Sequence, residues 1–267
     1  MFEIFQYNFM IRAFLGGIMI AIIAPLIGNF LVIKKYSLIA DTLSHIALAG
    51  VAIGMLTNTQ PIIATVLLTT LASLAIEKLR SNKNLPGEAI LAMFLPGGLA
   101  LSVVLISLAH GFNSNLFNYL FGSITTVKDE ELLLILGLGI ITCTAVVLLY
   151  KKLLYTSFDE ESAKVSGIPT DLVNTILIVL TAITVSLSMR IVGVLLIGAL
   201  MVIPVVTAMQ LAKSFHQTIF YSIFFGVLSV IGGLFIAYYG NLPAGGTIVL
   251  LALGIFLVMT LTPRLTS

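Results

Sequence analysis

Charge is what this sequence has least of. Only 9% of its 267 residues are Asp, Glu, Lys or Arg, where a soluble globular chain carries roughly 25%; 59% are hydrophobic, with a mean hydropathy of +1.16. A water-soluble fold is excluded. The net charge of +2 is not gathered into a basic face or tail, so a nucleic-acid partner has no electrostatic footprint here. Cys143 is the single cysteine, which excludes a disulfide framework within the chain and any multi-cysteine metal cage. Two enzymatic devices are also missing. There is no GxxxxGK phosphate loop followed by Ser or Thr, so ATP is not hydrolysed by that device, and there is no HExxH. Ser44 points the wrong way around a helix to pair with His45. Any energy from ATP must arrive through another subunit.

What is present is a series of apolar runs, at 13–33, 38–56, 62–76, 89–109, 132–149, 172–188, 191–209, 218–239 and 247–261. Each is continuously apolar, whereas the strands of a membrane barrel alternate over about ten residues, so helices must satisfy the backbone. The expectation is an all-α, polytopic membrane protein of eight or nine transmembrane helices forming one domain over 1–267. The first run is too long for a signal-peptide core and reads as the first membrane helix. Ser188, Met189 and Arg190 are a thin divider between two runs, which leaves eight and nine spans both open.

Lysine and arginine set the orientation. With nine spans and the Lys34–Lys35 connection inside, Lys78, Arg80, Lys83, Lys151, Lys152, Lys164, Lys213 and Arg264 also fall inside, leaving Arg12, Lys128 and Arg190 outside. The positive-inside rule selects that arrangement, with the N-terminus out and the C-terminus in. Pro25, Pro96 (followed by Gly97 and Gly98) and Pro204 each remove a backbone donor inside an apolar run, so those turns should be packed against neighbours or a cavity. Gly50 and Gly54 form a GxxxG that permits close helix approach. The outer connection 110–131 reads as a loop with a short interfacial helix over 116–127.

Asp41 and His45 carry the sharpest chemical signal. Four residues apart, they project from one face of an otherwise apolar helix, where an ionised side chain costs about 2.5 kcal/mol or more and faces a cavity or a partner. One oxygen and one nitrogen ligand suit a borderline divalent cation such as zinc or manganese. The competing reading is a structural Asp–His hydrogen bond in a packed helix pair. Two ligands do not close a tetrahedral site, but two copies meeting at a two-fold axis would supply four. Protons would compete with the cation for both groups.

The inside connection 151–170 is the second feature. Ser157 with Glu160, or Thr156 with Asp159, has capping-box spacing; Gly167 is a C-terminal stop and Pro169 follows. A short helix over 158–166 is expected, with Ala163 and Gly167 forming a small-residue face for a cytoplasmic partner's groove. A solvated loop helix is the alternative. His110 and His216 read as interfacial side chains, Cys143 as a packing residue, and Arg190 as a snorkelling or gating group.

The stretch Lys34-Lys35-Tyr36-Ser37-Leu38-Ile39-Ala40-Asp41-Thr42-Leu43-Ser44-His45 resembles the signature of the zinc and manganese ABC transporter permeases. These membrane subunits are related in architecture to the vitamin B12 and iron-siderophore permeases. The likeness continues through Tyr119 to Ser123, Asp159 to Gly167, Val192 to Leu200 with Pro204, and Leu242 to Gly245, which is essentially the whole chain. The resemblance implies a multi-pass cell-membrane permease with a vitamin-B12-permease-like architecture. It implies a homodimer, cytoplasmic ABC ATPase subunits that bind ATP, and an extracytoplasmic metal-binding protein that delivers the ion. The family's pathway carboxylate and histidine map onto Asp41 and His45, and its coupling helix onto the segment holding Asp159, Glu160, Ala163 and Gly167. The cargo would be a divalent metal, with no resident cofactor. Ala47-Leu48-Ala49-Gly50 looks more like the zinc-type than the manganese-type group. Import of chelated iron or a cobalamin-like molecule, with Asp41 and His45 serving packing, and a proton-coupled carrier working without an ATPase are the rival readings.

Overall fold

The computed structural model describes residues 6–81, 86–108, 114–123 and 127–261, and over them the chain is helical with no strand. Eleven helices follow in order: α1 Asn8–Ile33, α2 Leu38–Leu56, α3 Pro61–Arg80, α4 Gly87–Leu108, α5 Ser114–Phe121, α6 Asp129–Phe158, α7 Glu160–Val165, α8 Thr170–Ser188, α9 Ile197–Met209, α10 Phe215–Gly240 and α11 Ala244–Leu261. Eight of them are long and apolar enough to cross a membrane. The all-α polytopic expectation holds. α1, α2 and α8 are the most buried, and α4, α6 and α11 turn most of their surface outward.

Small residues and hydroxyls set the close packing, as expected where lipid offers helices no hydrophobic reason to associate. A Cβ added at Gly50 would lie 2.5 Å from the Thr65 Cα, and one at Gly54 would lie 2.7 Å from the Pro61 Cα, so the GxxxG holds α3 against α2. Thr69 of α3 and Ser186 of α8 share a buried hydrogen bond of 2.7 Å. In α1, Pro25 sits inside the helix, and Asn29 one turn later donates to the Pro25 carbonyl and to Ser222 Oγ of α10, both at 2.7 Å. The proline turn is thus packed against a neighbour, as its position required.

The run 191–209 departs from expectation, because only Ile197–Met209 is helical. Thirteen residues rise about 20 Å, short of the roughly 30 Å hydrocarbon core. The preceding residues leave the helix because Gly193 adopts φ +90° and their backbone pairs elsewhere. Val194 N–H donates to Tyr119 O (2.9 Å), Leu195 N–H to Leu120 O (3.3 Å), and Ser123 N–H to Arg190 O (3.0 Å). Gly245, at the start of α11, lies so close that its Cβ would meet Val192 O at 1.8 Å. The lead-in therefore sits with α5 and the α10–α11 turn, while Gln210 beyond the other end of α9 bonds Thr260 near the end of α11 at 2.9 Å. Residues 189–209 thus connect the two ends of the bundle and make a ninth passage. The eight-or-nine ambiguity resolves as eight full helices plus one broken crossing, and the two ends of the described chain lie on opposite faces.

Two other boundaries differ. α6 has 30 residues, about 45 Å at 1.5 Å each, and runs well beyond the expected 132–149 at both ends. Asp129, Glu130 and Glu131 occupy its first turn, where carboxylates favour the positive end of the helix dipole. At the other end Tyr150 and Phe158 pack on Phe215 of α10. The outer helix α5 is shorter and earlier than the expected 116–127.

Candidate functional site

Asp41 lies in the first turn of α2, and His45 one turn above it. Both are half-buried, while Thr42, Leu43, Ser44 and Ile46 around them are buried. Two neighbours close on this turn. From α4, Gly98 comes so near that its Cβ would be 2.7 Å from Ile46 Cγ1 and 3.2 Å from Ile46 N, and Ser102 Oγ donates to His45 O at 2.7 Å. α4 runs unbroken through Pro96, and the missing Cβ of Gly98 is what lets it rest on the α2 backbone at His45. From α9, Gly198 faces the carboxylate directly, since a Cβ there would stand 1.8 Å from Asp41 Oδ1. The broken crossing therefore begins its helix at the acid, bringing the positive end of a helix dipole to a carboxylate.

His45 Nδ1 is buried and finds no hydrogen-bond partner among the described residues. A buried nitrogen left without a partner costs free energy unless something fills the position, and no hydrogen bond between Asp41 and His45 is seen among the described residues. No group of three or more His, Cys, Asp or Glu able to hold a metal occurs among the described residues. This turn thus presents one carboxylate and one imidazole, both half-buried.

The inner end holds a polar network absent from the sequence reading. Lys34, in the linker between α1 and α2, lies 3.2 Å from Glu160 Oε2 of α7 and donates to Asn174 Oδ1 of α8. Arg80 at the end of α3 grips Glu77 through two hydrogen bonds of 2.8 Å and stacks on Tyr36 at 4.4 Å. Burial pushes the Lys34 ammonium below its ordinary value, against the raising pull of the Glu160 carboxylate. Burial would raise Glu160, but the Lys34 charge and the Asn174 hydrogen bond hold it below its ordinary value.

α7 forms close to where the sequence put it, but with a different cap. Ser157 and Thr156 remain inside α6, and Asp159 is the N-cap, accepting from Ser162 N at 2.9 Å and from Ser162 Oγ at 2.6 Å. Those bonds hold the Asp159 carboxyl below its usual range. Gly167 ends the helix at φ +81°; its N–H donates to Lys164 O and that of Ile168 to Ala163 O, both at 3.1 Å, a left-handed stop that favours glycine. The small-residue docking face needs correction. Ala163 is 3% exposed and faces the bundle, whereas Val165 is 90% exposed. The outward side is carried by Glu161, Lys164, Val165 and Gly167.

Arg190 neither snorkels nor stands free. It pairs with Glu131 of α6, donating from Nε at 2.9 Å, and covers the Tyr119 ring at 4.3 Å. Arg12 pairs with Asp129 at 3.2 Å. Two of the three outer cations are thus held by the acidic first turn of α6. Cys143 is partly buried, and the exposed His216 lies against the Tyr150 ring; His110 falls outside the described residues. Ala47 and Gly50 face Thr65 of α3, so that stretch packs against the neighbouring helix.

Residues 6–262 match the model of the ABC 3 transport family. The chain is 35% identical over 254 residues to the high-affinity zinc uptake system membrane protein ZnuB of Haemophilus influenzae, covering 95% of this chain and 97% of that one. It is 32% identical over 253 residues to the manganese import system permease protein ScaB of Streptococcus parasanguinis, covering 95% and 90%. Its fold matches a chain of the solved PsaBC of Streptococcus pneumoniae in complex with Fab at a TM-score of 0.85 and 31% identity, covering 98% of this chain and 94% of that one.

Proposed function

The chain belongs to the ABC 3 transport family, and from that premise we propose that it is the permease subunit of an ATP-driven importer of a divalent transition metal. It is a multi-pass protein of the cell membrane, with no phosphate loop of its own. Two copies meet about an axis beside α2, and a pair of Asp41 carboxylates and a pair of His45 imidazoles give the ion four ligands in passing. The observation that carries this reading is the half-exposed Asp41–His45 face with its unpartnered, buried Nδ1: an acid and an imidazole at that depth call for a partner or a wet passage. A site of few ligands also suits transport, which needs release as much as capture.

ATP is bound by cytoplasmic ABC ATPase subunits that meet α7, with Asp159 holding the helix start, Glu160 linking it to the bundle, Ala163 seating it and Gly167 closing it. An extracytoplasmic metal-binding protein delivers the ion at the opposite face. Zinc-named and manganese-named relatives match almost equally, and both metals enter the test. The test is ATP hydrolysis and metal accumulation by the complete complex in proteoliposomes, with zinc or manganese supplied separately. Stimulation by one metal, abolished by Asp41→Ala and by His45→Ala in complexes that still assemble, is the expected result. Hydrolysis and accumulation untouched by both substitutions would contradict it.

A further inference from the structure

We infer that Lys34 is the positioning residue through which movement of α7 reaches the Asp41–His45 helix. The inference rests on the proposed function and names the part that joins its two ends. α7 packs on α6 and α8, neither of which carries the acid or the imidazole. Its described polar tie toward α2 is the Glu160–Lys34 pair, at 3.2 Å, made from the linker that leads into α2 by a lysine side chain only 6% exposed.

The linker that holds Lys34 is stiff. Four residues, 34–37, separate α1 from α2; Lys34 N–H bonds Phe30 O at 3.1 Å, Tyr36 N–H bonds Leu31 O at 2.8 Å, and Lys35 turns the chain at φ +59°. Tyr36 is held in turn by Arg80 on its ring. A displacement of Lys34 is therefore not absorbed before Leu38, and Asp41 lies in the first turn that follows. Asn174 takes a second proton of the same ammonium, so one atom ties α7 and α8 to the linker that leads into α2.

Stability does not explain this arrangement. A desolvated ion pair contributes little net stability, and well-packed apolar residues of similar size serve as well. Glu160 is 41% exposed at its side chain, so it turns to water once the lysine is gone. The buried Asn174 Oδ1 loses its donor in Lys34→Met, a desolvation cost that Lys34→Gln, with its amide donor, is there to separate from the loss of the tie. What Lys34→Met removes besides is the mechanical tie.

The experiment uses the full complex with its ATPase and binding protein in proteoliposomes, loaded with zinc chloride or manganese chloride. It reads two quantities together, ATP hydrolysed and metal ions accumulated. Lys34→Met should assemble and hydrolyse ATP close to the wild-type rate while accumulating at least about fivefold fewer ions per ATP, the lower end of typical coupling between linked sites. Exchanging the pair, Lys34→Glu with Glu160→Lys, should recover part of that ratio. Lys34→Gln, which keeps a hydrogen-bonding tip, should show the smaller loss and stands in if Lys34→Met does not assemble. An unchanged ratio of ions to ATP in an assembled variant would overturn the inference, as would failure of both single variants to assemble, which would make Lys34 a purely structural anchor. Absence of metal-stimulated hydrolysis in the wild-type complex would instead sink the proposed function.

Discussion

Gly198→Ala is the most revealing single-atom change available at the site. The added methyl would stand 1.8 Å from Asp41 Oδ1 and 2.7 Å from Cγ, where real Cβ atoms essentially never come within 3.0 Å of another heavy atom. The carboxylate oxygen must therefore retreat by at least 3.0 − 1.8 = 1.2 Å. Metal ligands tolerate errors of only about 0.2 Å, and disturbing the groups that orient a ligand typically costs about 10–100-fold in metal affinity. Because Asp41 is half-buried, its side chain can swing aside without unfolding the bundle. The expected result is a permease that assembles with wild-type yield and melting temperature but needs about 10–100-fold more metal for half-maximal uptake. Gly254→Ala in α11, where an added Cβ meets nothing within 4 Å, is the control and should be silent. Uptake by Gly198→Ala with the wild-type metal dependence would refute the claim that Asp41, held where α9 begins, binds the ion.

Three further perturbations test the scaffold. Arg190→Ala strands Glu131, 9% exposed at its side chain, and should lower stability by about 3–5 kcal/mol in thermal unfolding of the detergent-solubilised protein; Arg190→Met with Glu131→Gln should recover most of the loss. Gly50→Leu drives a side chain into the Thr65 backbone at 2.5 Å and should cost about 1–3 kcal/mol or more, seen as lowered yield of monodisperse protein by size exclusion. The third concerns pH and α7. Hydrogen bonds from Ser162 keep the folded Asp159 carboxyl below its ordinary value, so the cap contributes fully above the usual Asp range of about 4 and is lost only as pH falls through the lowered value. Amide protection of residues 160–167, taken relative to the intrinsic exchange rate at each pH, should stay flat from neutral pH to about 4 and fall below that. Ser162→Ala should move the onset upward; an onset near neutrality in the wild type would contradict the assignment of the cap.

The long apolar runs made the eight full helices legible, because continuous apolarity over a bilayer's width leaves the backbone no other solution. The break before α9 was not legible. Its run is as apolar as its neighbours, and what opens the helix is tertiary: beyond the Gly193 turn, Val194 and Leu195 bond to Tyr119 and Leu120 at the end of α5, 75 residues earlier in sequence. Asp41 and His45 stood out because ionisable groups at that depth are rare, and their spacing alone placed them on one face. Lys34 and Arg190 also announced their charge, but charge beside an apolar run reads as topology, and only folding reveals the distant carboxylates of Glu160 and Glu131 beside them. The expected α7 caps, Ser157 or Thr156, fall two or three residues before the observed Asp159 because α6 outlasts its apolar stretch, with Phe158 packed against Phe215.

The most direct test of the central claim is X-ray absorption at the metal in a complex trapped with ATP bound, together with a count of ions per permease. One ion per two chains, with imidazole scattering lost in His45→Ala and one class of oxygen ligand lost in Asp41→Ala, is the predicted result. A bound ion whose spectrum and stoichiometry are unaltered by both substitutions would contradict it.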